Sequence, residues 1–378
     1  MKTQGSTAAD LTWAQVHAFR LQRHHLAHQA PKKDLAQVVS DIGGVQAQVM
    51  SLAELQIAVR VSCTVADVRR ALWTDRKLVK TWLMRGTLHL ASSADLPVYT
   101  AAMSTRWISQ MRPSWLKYMQ ITEPDFWKIV DEIGAALKAE PLTREDLIAV
   151  VGKGKSERVN ELLASGWGGL LKPAARNGRL CFGPNRGQSV TFVRPQEWLK
   201  SWREVDPDAA LAEMARRYLR AYGPATKSDF TRWWGPWPGV GSGAWSALAN
   251  ELTPVSVEGA RLDMLASDLD AVKRAHVEPS VVLLPAFDPY ILGHATRDHL
   301  YDRKFAPRVS RAAGWISAVV LVGGTVAGTW THRLAGQNLS LAVEPFRRVT
   351  PAVRAGIRLR AGELAQSLGV SKVEVKVA

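Results

Sequence analysis

The sequence predicts an α+β fold that is mainly helical, with three tandem winged-helix units followed by a C-terminal domain that contains β-strands. Helical periodicity gives way to a hairpin pattern early in the chain. A Pro-x-Thr-x-x-Asp-apolar pattern occurs at residues 141–147 and again at 224–230, and strand-forming apolar runs dominate after residue 278. We therefore expect domains at residues 10–122, 123–204, 205–278 and 279–378.

In the first unit, apolar spacing and capping residues predict helices followed by a hairpin. The helices are expected over residues 11–28, 34–42, 51–61 and 64–73. Thr64 and Asp67 have the spacing of a capping box at the start of the last of these helices. The hairpin is expected over residues 79–84 and 87–91. Helices followed by a hairpin are typical of a winged helix.

The repeated pattern marks two further helix starts. In each copy a threonine has the position of a helix cap, with an aspartate three residues later: Thr143 with Asp146, and Thr226 with Asp229. Further helices are expected at residues 123–138 and, with an amphipathic pattern, at 211–222. The two hairpins that complete these units are expected at residues 179–194 and 254–265. The second and third winged-helix units follow from this order.

The last segment has β character. Strands are expected at residues 281–284, 316–322, 325–330, 339–343 and 373–377, with a helix at 351–368. Gly323 and Gly324 supply the turn between the second and third of these strands.

The charge balance predicts a polyanionic partner. The chain of 378 residues has 49 Lys and Arg against 34 Asp and Glu, a net charge of +15. Its hydrophobic content of 47% is that of a folded protein, which excludes a disordered basic tail. Nucleic acid is the polyanion that a folded basic protein most often binds, and the alternative is a solvated basic surface without a partner.

Composition also bears on the compartment. Cys63 and Cys181 are too few for a disulfide framework or a cysteine-rich zinc site. The N-terminus lacks an apolar signal segment, and the longest apolar run, at residues 315–330, is broken by glycines. We expect a soluble, cytoplasmic, nucleoid-associated protein that has no contact with a membrane.

Residues 43–54 carry the candidate site. Gly43 and Gly44 should end the preceding helix, and Ser51 with Glu54 has the spacing of a capping box for the next one. In an extended connector, Gln46 and Gln48 project to the same side, beside the partial positive charge of a helix start. Two adjacent amides are neither acid nor base near neutral pH, so they can only orient water or a polar ring.

Such a site suits a leaving group that needs no proton. An N7-alkylated guanine is already cationic and departs neutral when its N-glycosidic bond breaks. The protein then has to hold a water molecule and tolerate an oxocarbenium-like sugar, which the DNA phosphates help to stabilise.

Other chemical motifs are rejected. His24, His25 and His28 have no third ligand in view and are interpreted as a solvated helix face. Gly154, which precedes a Lys-Ser pair, has no matching glycine upstream, so no phosphate-binding loop is predicted. The tryptophans around Trp233 are interpreted as core rather than as a base-stacking surface. We expect neither a metal nor an organic cofactor.

Two longer motifs support a family assignment. They are Thr-Trp-Leu-Met-Arg-Gly-Thr-Leu-His-Leu at residues 81–90 and Leu-Pro-Ala-Phe-Asp-Pro-Tyr at 284–290. Together with the Gln-x-Gln after Gly-Gly, the chain resembles the AlkZ-type DNA glycosylases of the winged-helix DNA-binding superfamily, over residues 12–377. The resemblance implies a C-shaped, positively lined channel closed by a β-domain, and monofunctional excision of N7-alkylguanine.

The same resemblance implies that Gln46 and Gln48 form the catalytic pair. One branch of the family has Asp at the second position, whereas this chain has Gln48. It is therefore similar to the azinomycin-resistance branch, which is associated with unhooking of interstrand crosslinks formed by a DNA-alkylating natural product. The expected partner is double-stranded DNA carrying alkylated or crosslinked guanine, and the protein is expected to act as a monomer.

Candidate DNA contacts are basic residues near the predicted site and hairpins. They are Arg85, His89, Arg60, Arg297 and His299. Basic residues before the first hairpin could also hold phosphates: Arg69, Arg70, Arg76, Lys77 and Lys80. For any one of them, a solvated surface charge is the alternative. Asp288 is either a hidden carboxylate partner of the glutamines or part of a structural turn.

Two other functions stay open at the level of sequence. A non-catalytic winged-helix regulator would read bases from a recognition helix. The helix at residues 51–61 is expected to expose mainly Glu54, Gln56 and Arg60, which is a thin set for that purpose. A protein-interaction scaffold would show no salt-sensitive binding of DNA.

Overall fold

The computed structural model describes residues 8–104, 113–235, 237–276 and 278–378. Its helices are α1 (Trp13–Arg23), α2 (Leu35–Asp41), α3 (Met50–Ala58), α4 (Val65–Trp73), α5 (Leu96–Met103), α6 (Pro113–Met119), α7 (Glu123–Ala136), α8 (Arg144–Val151), α9 (Glu157–Ala164), α10 (Leu171–Arg176), α11 (Pro195–Trp198), α12 (Pro207–Tyr222), α13 (Lys227–Trp234), α14 (Val240–Ala247), α15 (Leu269–Arg274), α16 (Pro289–Leu292), α17 (Ala306–Val309) and α18 (Pro351–Leu368). Its strands are β1 (Ala9–Leu11), β2 (Ala30–Pro31), β3 (Val45–Gln46), β4 (Val61–Ser62), β5 (Leu78–Trp82), β6 (Leu88–Ser92), β7 (Leu142–Thr143), β8 (Cys181–Arg186), β9 (Ser189–Val193), β10 (Leu252–Val257), β11 (Ala260–Leu265), β12 (Val281–Leu284), β13 (Val319–Val322), β14 (Thr325–Ala335), β15 (Asn338–Pro345) and β16 (Lys372–Val377).

The chain divides into two compact units, each made of separate stretches of sequence. The first contains Met1–Val68, Ala215–Trp234 and Gly241–Ala378, and the second contains Arg69–Met214 and Gly235–Val240. The four domain boundaries expected from the sequence stay a prediction.

The first unit contains a sheet of five strands in the order β12-β13-β14-β15-β16. Neighbours are antiparallel from β12 to β15, and β16 runs parallel to β15. Helix α18 packs on this sheet, where its Ile357 is buried in one cluster with Val281 of β12. Thr350 caps α18 at its start, and Gly369 ends it at φ +71°. The predicted C-terminal mixture of strands and a helix is confirmed.

A smaller sheet in the first unit forms around the predicted hairpin at residues 254–265. Strands β10 and β11 pair from Leu252 opposite Leu265 to the turn. Strand β1 joins β10 in parallel, with Ala9 opposite Val255. The hairpin was predictable from its local pattern, whereas the third strand comes from the other end of the chain.

The second unit is built on two hairpins and the helices that cover them. Strands β5 and β6 are antiparallel, and β9 pairs with both β7 and β8. One buried cluster joins Trp82 of β5 to Phe126 of α7, Leu171 of α10 and Phe192 of β9. Both hairpins were predicted, and their strands differ from the predicted bounds by a few residues.

Both copies of the repeated pattern form capping boxes, as predicted. Thr143 and Asp146 exchange backbone-to-side-chain hydrogen bonds of 3.1 and 3.2 Å. Thr226 and Asp229 do the same at 2.9 and 3.1 Å. The helix starts are therefore confirmed, while the winged-helix arrangement and the C-shape stay predictions.

One predicted cap is wrong. Helix α3 begins at Met50, and its N-cap is Val49, whose side chain makes no capping bond. Glu54 is only 2% exposed, whereas Ser51 is exposed. A carboxylate in that position is not available to cap Ser51 at the surface.

Neither a membrane span nor a metal cluster occurs within the described ranges. None of the helices they contain is both long and apolar enough to cross a membrane. They also contain no group of three or more His, Cys, Asp or Glu side chains placed to bind a metal ion.

Candidate active site

The candidate site lies in the first unit, where the chain passes from α2 to α3. Gly43 and Gly44 have φ of +70° and +85°, and they end α2 as predicted. The next residues are extended, so side chains alternate. Val45 and Ala47 are fully buried, whereas Gln46 is half-buried and Gln48 is exposed.

The two amides contact each other. Gln46 Nε2 donates a hydrogen bond of 2.5 Å to Gln48 Oε1. The prediction that both side chains project together is confirmed, and α3 begins two residues after Gln48. We call Gln46 and Gln48 the glutamine pair. Their mutual bond leaves Gln46 Oε1 and the Gln48 amide nitrogen available, since neither makes another hydrogen bond within the part of the chain that is described.

Two aromatic side chains hold the segment that leads to the glutamine pair. The Tyr222 hydroxyl donates to the carbonyl of Ile42 at 2.8 Å. A Cβ atom added at Gly43 would lie 2.7 Å from Trp233 Cζ2, so the ring packs directly against the glycine backbone. Tyr222 and Trp233 are 1% and 3% exposed. The sequence predicted a core position for Trp233 and an amphipathic helix ending at Tyr222, but it gave no sign that either residue contacts this segment.

The helix after the glutamine pair is anchored by a buried ion pair. Arg60 Nη1 and Nη2 donate to the two carboxylate oxygens of Asp288 at 2.8 and 2.6 Å, and both side chains are 0% exposed. Asp288 Oδ1 also accepts from the backbone N–H of Tyr290 at 2.9 Å. Gln56 of α3 donates to the carbonyl of Ala286 at 2.9 Å. The motif at residues 284–290 therefore holds α3 in place, and Asp288 is part of a structural turn.

These contacts correct two expectations. Arg60 was a candidate DNA contact, but a guanidinium with no accessible surface cannot reach a phosphate. The expectation that a helix at residues 51–61 exposes Glu54, Gln56 and Arg60 is wrong for all three residues, which are 2%, 0% and 0% exposed. Residues 53–58 of α3 are all buried, so Glu54 and Gln56 are enclosed together with their apolar neighbours. A regulator that reads bases with this helix loses its recognition residues.

The histidines after α1 also differ from expectation. His24 does not belong to a solvated face: it is 0% exposed and packs edge-on against Tyr222 and Tyr290. Burial, followed by the nearby Arg60 and Arg20 charges, holds the pKa of His24 well below its usual value. His25 pairs with Asp41 at 2.8 Å, and only His28 is exposed.

Arg85 and His89 lie in the second unit, in the β5–β6 hairpin. Arg85 has φ +57° in the turn. His89 is 2% exposed, and its Nδ1 lies 2.9 Å from the carbonyl oxygen of Thr87. Burial, and then the charge of Arg85, lower the pKa of His89 to about 3. A buried neutral imidazole is a poor phosphate ligand, so His89 is withdrawn as a DNA contact, while Arg85 stays a proposal.

Arg297 and His299 lie in the first unit. Arg297 donates to the carbonyl of Ile291 at 2.7 Å and to Ser310 Oγ at 3.1 Å. His299 lines an open cavity of about 890 Å³ and stacks on Trp13, with ring centroids 4.6 Å apart. Burial, followed by the charge of Arg20, lowers the pKa of His299 to about 2. As DNA contacts both stay proposals, and His299 would act without charge.

Known proteins match nearly the whole chain. A family model described as DNA glycosylase AlkZ-like matches residues 39–367. The chain is 34% identical over 383 residues to the interstrand DNA cross-link repair glycosylase of Streptomyces sahachiroi, covering 97% of this chain and 99% of that protein. The solved structure of Streptomyces sahachiroi DNA glycosylase AlkZ superposes with a TM-score of 0.87 at 33% identity, covering 98% and 100% of the two chains. The matched region includes the glutamine pair and the motif at residues 284–290.

Proposed function

Because the chain belongs to the AlkZ-like DNA glycosylase family, we propose that it excises cationic N7-alkylguanine from double-stranded DNA and unhooks interstrand crosslinks formed through such guanines. The crosslinks would come from a DNA-alkylating natural product. We propose further that it acts in the cytoplasm, at the nucleoid, as a monomer. One observation carries the proposal: two neutral amides, bonded to each other at 2.5 Å, project from an extended segment beside a helix start.

The chemistry follows from the charge of the lesion. Alkylation at N7 makes the guanine cationic, so the electron pair of the C1′–N9 bond leaves with the base, which departs neutral. A water oxygen then bonds to C1′, and the water releases one proton to solvent. No general acid is needed for the leaving group, which fits a pair of side chains that do not titrate.

The glutamine pair would position the water. Its mutual bond fixes the two amides, and Gln46 Oε1 is free to accept a hydrogen bond from the attacking water. The Gln48 N–H groups could donate to a polar atom of the sugar or to the same water. Prior positioning of this kind lowers the barrier because less orientational entropy is lost in the reaction. Water is the nucleophile, so we propose no lyase step.

The first test is release of base from a duplex carrying one N7-methylguanine. Alkali would reveal abasic sites made by the wild type, and these should disappear with Gln46→Ala combined with Gln48→Ala. Gln366→Ala is the matched control, because Gln366 is a glutamine on α18, away from the glutamine pair in the sequence. Each variant's binding to the same duplex is measured alongside.

The outcomes separate the functions that were considered. Release that is abolished in the double variant while binding persists supports the proposed site. Binding by the wild type without release above the spontaneous rate, on both N7-methylguanine and a crosslinked duplex, contradicts the glycosylase and leaves the regulator. Release that survives the double substitution places the chemistry elsewhere.

A further inference from the structure

Trp167 is the most exposed large apolar side chain in the part of the chain that the structure describes, at 84%. It lies in the second unit, in the loop between α9 and α10. Tryptophan normally buries most of its area, so this largely exposed indole is available to stack against a ligand. The sequence neighbours of Trp167, which are Ser165, Gly166 and Gly168, have no large apolar side chain to add to this area. That is too little for a stable protein–protein interface.

The loop that carries Trp167 is ordered by specific bonds. Arg144 Nη1 donates to the carbonyls of Leu163 and Ser165 at 3.1 and 2.9 Å. The N–H of Gly168 donates to Ser165 O at 2.9 Å, which closes a tight turn with Trp167 at its third position. Gly168 has φ +75°, a conformation that suits glycine. The exposed indole is therefore carried by a backbone turn that is fixed by hydrogen bonds.

Lys172 lies beside this turn, and Arg176 follows it at the end of the same helix, α10. A Cβ added at Gly168 would lie 3.1 Å from Lys172 Cγ, and one at Gly86 would lie 3.0 Å from Arg176 Nη2. Arg176 thus reaches the turn of the β5–β6 hairpin next to Arg85. Neither Lys172 nor Arg176 makes an ion pair with any residue of the described ranges. Burial, and then repulsion from Arg176, lower the pKa of Lys172. An anion at this position would relieve that repulsion.

We propose that Trp167, Lys172 and Arg176 form a DNA-contacting patch, in which the indole stacks against bases of the duplex and the two cations hold phosphates. This inference rests on the proposed function, because it takes duplex DNA as the partner. An apolar wedge between base steps is a known way to kink DNA, and stacking tolerates any base sequence. A net charge of +15 makes a polyanion the fitting occupant.

The test uses a duplex that has no base to excise at the modified position. It carries one tetrahydrofuran abasic analogue flanked by 2-aminopurine, whose fluorescence rises when it is unstacked. Trp167→Ala should weaken binding about tenfold or more and abolish the fluorescence rise, while Trp167→Phe should restore most of both. Leu359→Ala is the control, because Leu359 is 63% exposed on α18. It should leave both signals unchanged.

Salt dependence separates the stacking contact from the phosphate contacts. Lys172→Gln combined with Arg176→Gln should reduce the slope of log Kobs against log salt by about 0.9 for each phosphate that is no longer neutralised. Trp167→Ala should leave that slope unchanged. A circular dichroism spectrum and an unfolding midpoint for every variant ensure that a folded protein is compared.

The proposal is overturned if Trp167→Ala binds and brightens 2-aminopurine like the wild type, or if the charge variants keep the wild-type salt slope. Neither measurement needs base excision. A wild type that binds through this patch but releases no base would contradict the proposed function alone. If the wild type releases base normally and Trp167→Ala gives the wild-type binding and fluorescence, only this inference is contradicted.

Discussion

Tyr218 and Tyr222 form a matched pair for testing how the glutamine pair is positioned. Both lie on α12, and both are 1% exposed. Each hydroxyl donates a 2.8 Å hydrogen bond to a backbone carbonyl, Tyr222 to Ile42 and Tyr218 to Gly293. Only the Tyr222 bond ends on the segment that leads to the glutamine pair, four residues before its first member.

The two substitutions should therefore cost similar stability and different activity. Removing either hydroxyl deletes one buried hydrogen bond, worth about 1 kcal/mol of unfolding free energy. A shift of about 1 Å in a catalytic group can cost about 100-fold in rate. Tyr222→Phe removes the hydrogen bond to Ile42, while the Trp233 ring still packs against Gly43. We therefore expect the rate of base release to fall about tenfold, equal to about 1.4 kcal/mol of activation free energy. Tyr218→Phe should change the rate by less than about twofold.

The assay is single-turnover release of N7-methylguanine at saturating enzyme, beside urea unfolding of each variant. The apparent affinity for the duplex should be unchanged in both, because neither tyrosine is at the surface. Equal losses of rate in the two variants would mean that general destabilisation of α12 lowers activity. Unchanged rates in both would mean that Ile42 does not position the glutamine pair, and either result refutes the reasoning.

Three further predictions concern stability. Asp288→Ala should lower the free energy of unfolding in urea by about 3–5 kcal/mol, because it leaves the buried Arg60 guanidinium unpaired. Replacing both residues, Arg60→Leu with Asp288→Leu, should recover much of that loss. A double variant that is no more stable than Asp288→Ala would contradict this prediction. Gly43→Ala should lower the free energy of unfolding by about 1–3 kcal/mol more than Gly154→Ala does. Both glycines have φ near +70°, but only Gly43 has no room for a Cβ atom. Equal losses in the two variants would contradict the steric explanation. Burial lowers the pKa of His89 from 6.5 to about 3, so the unfolded chain takes up a proton below pH 6.5 that the folded chain does not. The stability contributed by keeping His89 neutral is present above pH 6.5 and falls by up to about 1.4 kcal/mol per pH unit as the pH drops toward 3. His89→Gln should reduce the slope of unfolding free energy against pH by up to that amount between pH 6.5 and about 4.5, while buried His24 and His299 maintain the rest. An unchanged slope would mean that His89 is protonated in the fold.

Local rules predicted the site segment well. Two adjacent glycines, two glutamines at a spacing of two and apolar residues between them were enough to predict a helix stop and two amides on one side. The Thr-x-x-Asp caps were equally readable, because a capping box is closed within four residues. In each of these cases both partners of the interaction lie within a few residues of each other. The Ser-x-x-Glu pattern at residues 51–54 is just as local but forms no cap, because Glu54 is buried.

The long-range contacts that hold the glutamine pair and α3 in place could not be predicted from local sequence patterns. Arg60 and Asp288 are separated by 228 residues, and the bond from Tyr222 to Ile42 spans 180. Helix α3 illustrates the consequence. A polar residue on an apolar helix is normally assigned to the solvent face, yet Gln56 is enclosed because its amide has a partner at Ala286, far away in the chain. Only the tertiary structure shows which polar groups have such partners.

The groups described around the glutamine pair carry little net positive charge, although the whole chain is basic. The glutamine pair does not titrate, burial lowers the pKa of His24, and the Arg60 guanidinium just beyond α3 is neutralised by a buried carboxylate. A lesion that is itself cationic would be repelled by a positive group at the point of bond breaking, and its departure needs no proton donor. The positive charge that binds DNA therefore belongs at the surface, where it meets phosphates rather than the departing base. Affinity and excision can then be altered by different substitutions, with salt acting on the first.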